Sequence, residues 1–256
     1  MKQHIVRIAL GLAIALFFLG HTSDQYHLGF IDQLDNIIYD ARLVLTMPRG
    51  VDDRVIILDI DEKSLRELGH WPWPRDLLAK FIDKLFDQYQ IAVVGFDVVF
   101  AEADYSSGIR VLDEFARGEL KETPGFQQAY QKIRPQLDND GLFAKSMKGR
   151  PVVLGYYLTN ERGSQRIATI PEPVLPKGMF SGRKIYFTPW VGYGGNLPAF
   201  QKSAANAGHF NPAIDGDGIV RRVPMIVELD GAYYEALSLA VVRTLLGFPK
   251  IGRAHV

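Results

Sequence analysis

The chain has 256 residues with an apolar share of 47%, enough to bury a real core in one large domain or two small ones. Its 29 lysines and arginines equal its 29 aspartates and glutamates, so no long-range field gathers nucleic acid or any other strongly charged partner. There is no cysteine, which excludes disulfide frameworks, thiolate nucleophiles and cysteine-ligated zinc and leaves the redox compartment open.

Ile8 to Leu19 is an unbroken apolar run. Extended from Ile5 to Gly20 it gives roughly sixteen residues, about 24 Å of helix. A bilayer core of about 30 Å is reached if the helix runs on towards Tyr26 and Arg7 snorkels to the interface. Lys2 and Arg7 precede the run while Asp24, Asp32 and Asp35 follow it, so the positive-inside rule puts the N-terminus in the cytoplasm and exports the rest. A cleaved secretory signal has a similar basic start and apolar centre, but Gly20-His21-Thr22-Ser23 shows no Ala-x-Ala pattern. A buried core helix is the plainer alternative, although the run has no polar face.

Phe30 to Leu45 has the spacing of an amphipathic helix that ends at Met47-Pro48-Arg49-Gly50. Val55 to Ile60 is β-branched and apolar without alternation, the pattern of a parallel strand covered on both faces. Leu77 to Tyr89 is helical by period, and Ile91 to Phe100 reads as a second buried strand; strand, helix and strand at this separation form a right-handed βαβ unit. Ala101 to Thr123 reads as loop and weak helix, Phe126 to Met147 as helix with a break at Pro135, and Val152 to Leu158 as a third strand. Gly163 to Pro198, dense in proline and glycine, reads as an extended insertion over the ends of the sheet. Asn206 to Asn211 and Ile219 to Leu229 read as strands flanking the turn Asp215-Gly216-Asp217-Gly218, and Ala236 to Leu246 as a final helix.

Several residues are candidates for a site. Asp59 and Asp61 stand at the carboxyl end of the expected first strand, where ligands gather in open α/β sheets. Two carboxylates at i and i+2 share one face and suit Mg²⁺ or a cationic ligand. The plainer reading has Asp59 capping the next helix or pairing with Arg75 or Arg221. Trp71-Pro72-Trp73-Pro74 presents two indoles in a set geometry, either as the floor of an apolar or cationic site or as a lid on the core, with Arg75 starting the helix behind them. Asp97, followed by Glu102 and Asp104, ends the second strand. If the two strands are neighbours it approaches Asp59, and one pKa rises unless a cation or arginine intervenes. His209 either senses acidity near neutral pH or is a hydrogen-bonded core residue. Arg221 and Arg222 face opposite ways, and one of them could meet the strand-end carboxylates. The Asp59-x-Asp61 ending also resembles the first motif of haloacid-dehalogenase-type phosphatases, whose later acidic pair has no convincing counterpart here.

Taken together, Asp59 to Leu65, Leu68-Gly69-His70-Trp71-Pro72-Trp73-Pro74-Arg75 and Val94 to Glu102, followed by Asn206-Ala207-Gly208-His209-Phe210-Asn211 and Asp215 to Pro224, resemble the type 2 CHASE domain (CHASE2), a cyclase- and histidine-kinase-associated sensory extracellular domain. The resemblance covers about Asp32 to Gly247. It implies an extracytoplasmic sensor behind an N-terminal anchor in a bacterial receptor, usually followed by more membrane helices and a cytoplasmic output domain. In relatives that output is an adenylate or guanylate cyclase, a histidine kinase, a serine/threonine kinase or a cyclic-di-nucleotide enzyme. Such receptors normally work as dimers, so a homodimer is expected.

The combined expectation is an α/β layered sandwich with a mainly parallel central sheet, a C-terminal hairpin and one N-terminal transmembrane helix. Residues 1–24 form the membrane anchor and 25–250 the sensor domain facing the periplasm or exterior, and 251–256 are a non-native tail closing a truncated reading frame. Asp59, Asp61, Trp71, Trp73, Arg75, Asp97, His209 and Arg221 are the expected ligand-binding residues for an unidentified extracytoplasmic ligand. No catalytic residue, metal or cofactor is expected; the expected partners are the inner membrane, the extracytoplasmic ligand and a second copy of the chain, and nucleic acid is not among them. The alternative is an exported metal-dependent phosphohydrolase using Asp59, Asp61 and Asp97.

Overall fold

The computed structural model describes residues 2–23, 25–26, 28–161, 165–182, 185 and 187–251. The end of the expected non-native tail, 252–256, and parts of the Gly163 to Pro198 insertion lie outside the described residues. The chain divides into two compact units, Met1–Asp59 and Ile60–Val256.

The first unit holds two helices. α1 (Lys2–Thr22) has 21 residues, about 32 Å at 1.5 Å per residue, longer than the apolar run alone because the helix continues through Gly20-His21-Thr22. Its stretch His4–Thr22 is long and apolar enough to cross a membrane, and none of it is buried in the protein. α2 (Gly29–Thr46) begins with Asp32 in its first turn and ends at Met47. His21 reaches Asp32 Oδ1 with Nε2 at 3.5 Å, and the Leu28 N–H donates to His21 Nδ1 at 3.3 Å. The Val55-to-Ile60 run departs from expectation. No strand forms there, and Val55, Ile56, Ile57 and Leu58 are 57–88% exposed. An apolar run reads the same whether or not a neighbouring strand offers it a ladder, so its composition could not fix its burial.

The second unit opens with α3 (Glu62–Leu68) and α4 (Arg75–Asp87). β1 (Val94–Phe96) is a short piece of the expected second strand. α5 (Ile109–Arg117) and α6 (Pro124–Leu137) follow. α6 tolerates Pro135 only in its last turn and stops two residues later; Asp138 then caps α7 (Asn139–Met147), its Oδ1 accepting the Gly141 N–H at 3.0 Å. β2 (Val152–Thr159) is the central strand, buried along nearly its whole length.

The proline-rich insertion contributes strands as well as cover. β3 (Arg166–Ile167), β4 (Pro189–Trp190) and β5 (Gly192–Gly194) lie within it, and α8 (Pro198–Ser203) follows. After β6 (Asn206–His209), the hairpin at Asp215 to Gly218 joins β7 (Ala213–Ile214) to β8 (Val220–Arg222), whereas β6 belongs to the main sheet. Val223-Pro224 then separates β8 from β9 (Ile226–Leu229). β9 pairs with β10 (Ala232–Glu235) across Asp230-Gly231, both at positive φ (54° and 79°), the backbone that Asp-Gly favours in a two-residue hairpin. α9 (Leu237–Leu245) completes the unit.

The fold is a mixed α/β structure with several sheets. In the five-stranded sheet β2 pairs in parallel with β1 and with β6, antiparallel with β5, and β5 pairs in parallel with β3. A second sheet runs β10-β9-β4 and a third is the β7-β8 pair. Val152, Leu154, Tyr156 and Leu158, alternate residues of β2, join Ile82 of α4, Phe143 and Met147 of α7, and Phe200 of α8 in one core. Phe143 lies edge-on to Phe100 and to Phe200, with ring centroids 5.2 Å apart in each pair. α9 packs on β6, β2 and β1. A Cβ on Gly208 would stand 2.5 Å from Leu237 Cα, so only glycine lets the start of α9 sit this close to β6.

Candidate functional site: a buried arginine between two carboxylates

Three segments meet where α4 starts. Arg75 is the first residue of α4, Asp104 and Ser106 come from the loop after β1, and Asn139 and Asp140 open α7. The Arg75 N–H donates to Asp104 Oδ2 at 2.7 Å. Asn139 Nδ2 donates to the same oxygen at 2.9 Å and to Ser106 Oγ at 3.2 Å, and the Ser106 N–H donates to Asp104 Oδ1 at 2.8 Å. The Asp104 N–H in turn donates to Asp140 Oδ2 at 3.1 Å. One carboxylate thus closes the first turn of α4, where unpaired amides and the helix dipole favour negative charge.

The Arg75 side chain is buried, with its guanidinium carbon 4.5 Å from the centre of the Phe100 ring. Its Nε and Asp140 Oδ1 are buried without a hydrogen-bond partner among the described residues. Burial lowers the Arg75 pKa, opposed by the charges of Asp140 and Asp104. Burial also pushes Asp104 up, but the bonds from Arg75, Ser106 and Asn139 outweigh it and its pKa falls below the usual value. Asp140 moves the other way: burial raises it, and the Asp104 N–H and the Arg75 charge only partly offset that. The pair is therefore split, with one carboxylate fixed as an anion and the other easier to protonate, around a cation whose ring partner belongs to the core.

The residues expected from the sequence are distributed more widely. Asp59 is exposed in the first unit. Asp61 caps α3, its Oδ1 accepting the Ser64 N–H at 2.8 Å and the Ser64 hydroxyl at 2.7 Å, which hold its pKa down. Asp97 is exposed just after β1. Trp71 and Trp73 pack edge-on at 5.6 Å against the core, and Trp73 Nε1 donates to the Gly69 carbonyl at 2.9 Å. Arg221 is engaged by Asp215 at 3.0 Å and Asp217 at 2.8 Å within its own hairpin. Its side chain is 5% exposed against 69% for Arg222, as strand alternation requires. The Arg221 hydrogen bond holds Asp217 down to about 2. Among the described residues no group of three or more His, Cys, Asp or Glu is placed to hold a metal ion.

His209 is fully buried and neither ring nitrogen completes a hydrogen bond among the described residues. Burial lowers its pKa to about 4, against a smaller upward pull from the Pro224 carbonyl, so it does not titrate near neutral pH. Nearby, Glu235 accepts from Asn206 Nδ2 at 3.0 Å and pairs with Arg243 of α9.

Sequence reasoning overlooked Asn139 and Asp140, although Asp138-Asn139-Asp140-Gly141 is a helix-start signature. It also overlooked Asn196, a buried side chain that accepts the Phe100 N–H at 2.8 Å and donates to the Gly155 carbonyl at 2.9 Å, tying the loop after β1 to β2. No local pattern marks that residue.

The CHASE2 domain family model matches residues 9–254, nearly the whole chain. The chain belongs to the CHASE2 family. Searches of curated proteins and of solved structures find no match. CHASE2 domains are sensory extracellular domains rather than catalytic ones, so this chain carries a sensory domain behind an apolar N-terminal helix that could span a membrane.

Proposed function

We propose that this CHASE2 chain is the extracytoplasmic signal-sensing part of a membrane-bound bacterial receptor, anchored by α1 with its N-terminus in the cytoplasm and working as a homodimer. The observation that carries the reading is the family match over residues 9–254 together with an unburied 19-residue apolar helix ahead of the α/β unit. The basic residues before that helix and the acidic ones after it support the orientation. The domain boundaries near residues 24 and 250, a layered arrangement built on the parallel β1, β2 and β6 ladders, and a cyclase or kinase output belong to the same proposal.

In this reading an external ligand or condition shifts the population of two arrangements of the sensor, and the anchor transmits the difference. The Arg75, Asp104 and Asp140 cluster is suited to such a shift, because protonation or displacement of one carboxylate changes the field on a buried cation. Asp59, Asp61, Trp71, Trp73, Asp97, His209 and Arg221 remain proposed ligand contacts.

The test is a topology reporter fused after Gly247. Activity confined to the outer side of the inner membrane is the expected result, and a reporter facing the cytosol overturns the proposal. The sensor reading also expects no Mg²⁺-dependent phosphate release by the purified chain; turnover abolished by Asp59→Asn overturns it in favour of a phosphohydrolase.

A further inference from the structure

Between α4 and α7 lies an open cleft of about 590 Å³, within the size range of small-molecule sites. Its charged lining consists of Lys80, Lys145, Lys148 and Arg150 against Asp76 and Asp83. Two of the cations are already matched. Lys80 Nζ donates to Asp76 at 2.8 Å, and Arg150 donates to Asp83 at 2.5 Å and, outside the lining, to Asp87 at 2.8 Å. Lys145 and Lys148 form no ion pair among the described residues.

The matched groups give the cleft its shape. The Arg150 side chain is only 24% exposed; it also donates to the Ser146 carbonyl at 3.1 Å and lies with its guanidinium carbon 5.6 Å from the centre of the Phe86 ring. It therefore ties α4 to the end of α7 instead of sweeping through solvent. Leu142 and the buried Ala79 supply an apolar floor. On a flat surface two unpaired lysines are a solvated face. Here both are exposed side chains in the lining of one cleft, beside two cations already neutralised, so theirs is the positive charge left for an anion within it.

The geometry points to this cleft as a binding site for a small multivalent oxyanion, carboxylate or phosphate, held by Lys145 and Lys148 with charge-assisted hydrogen bonds. Two cations lining one cleft favour a ligand with at least two negative oxygens over a monovalent one, and the apolar lining of Leu142 and Ala79 suits the carbon skeleton of an organic di- or tricarboxylate. The site is distinct from the Arg75 cluster and does not rest on the receptor reading: binding is measured on the purified chain, whereas topology is measured in cells.

The experiment is calorimetric titration of the full chain in detergent with citrate, pyrophosphate and acetate, at constant ionic strength so that screening does not change between points. Saturable binding of citrate or pyrophosphate but not acetate is expected, and the preferred anion identifies carboxylate or phosphate as the source. The double variant Lys145→Gln with Lys148→Gln should weaken binding by about tenfold, equivalent to about 1.4 kcal/mol. The control Lys63→Gln with Lys177→Gln carries the same net charge change at exposed positions outside the cleft lining and should bind like the parent. Absence of saturable binding by both multivalent anions overturns the inference, as does equal weakening in the control pair, which would show a response to net charge alone. Thermal unfolding of each variant without anion confirms that the folded protein is being titrated.

Discussion

The backbone N–H of Arg75 donates to Asp104 Oδ2 at 2.7 Å across a separation of 29 residues, so the first turn of α4 is closed by a side chain from the loop that leaves β1. That oxygen also accepts from Asn139 at 2.9 Å, which makes one carboxylate the joint between two helix starts. Replacing it should act on both helices together.

Asp104→Ala removes the acceptor for Arg75 and Asn139 while leaving the buried guanidinium with Asp140 as its remaining acidic neighbour. Losing charge-assisted hydrogen bonds at a partly buried site should cost about 2–3 kcal/mol. Urea unfolding followed by tryptophan fluorescence measures it, since Trp71 and Trp73 lie just ahead of α4. A midpoint equal to that of the parent contradicts the bridging role.

Asp140 should shape stability in acid. Its folded pKa is raised above 3.8 by burial, so the folded state holds a proton that the unfolded chain has released, and stability falls as pH rises from 3.8 through the folded value. Asp104, lowered in the fold, has the opposite sign: its contribution is present above 3.8 and is lost as pH falls through its folded value. Asp140→Asn keeps an oxygen for the Asp104 N–H and discards the buried charge. The variant should be at least as stable as the parent at neutral pH and should lose the falling limb above pH 3.8 in a series of unfolding midpoints.

His209 acts in a different window. With its folded pKa lowered to about 4 from 6.5, the unfolded state takes up a proton that the folded state refuses. The stabilisation is fully present above 6.5 and is lost as pH falls towards about 4, by as much as about 3 kcal/mol. His209→Gln should flatten the curve between those limits. A parent protein with pH-independent stability across that range would show that the ring is more solvated than its burial indicates.

Gly208→Ala tests the seat of α9. The new methyl would meet Leu237 Cα at 2.5 Å and the Leu237 nitrogen at 2.6 Å, backbone atoms that cannot rotate away. A loss of about 2 kcal/mol or more is expected from overpacking against fixed backbone, visible as a lower thermal midpoint. Gly216→Ala, in the β7-β8 turn with open space around it, should be nearly silent.

By itself the sequence determined the apolar N-terminal helix, the periods of α4 and α9, the buried central strand β2, the turn at Asp215 to Gly218 and the family. Each of these is written in consecutive residues, through periodicity, β-branched content or turn chemistry. The Asp230-Gly231 turn carries the same Asp-Gly chemistry, but the expectation of one strand from Ile219 to Leu229 hides the break at Pro224 and the β9-β10 hairpin beyond it. Tertiary structure decided the rest. Whether Val55 to Leu58 is covered depends on a ladder partner that no local pattern supplies, and whether a loop aspartate caps one helix, as Asp61 does, or bridges two, as Asp104 does, depends on which helix starts lie within hydrogen-bond reach. The Arg75 cluster joins segments separated by 29 and 35 residues. Electrostatics falls off with distance in space and takes no account of distance along the chain, so the partners of a buried charge become readable only when the chain is folded.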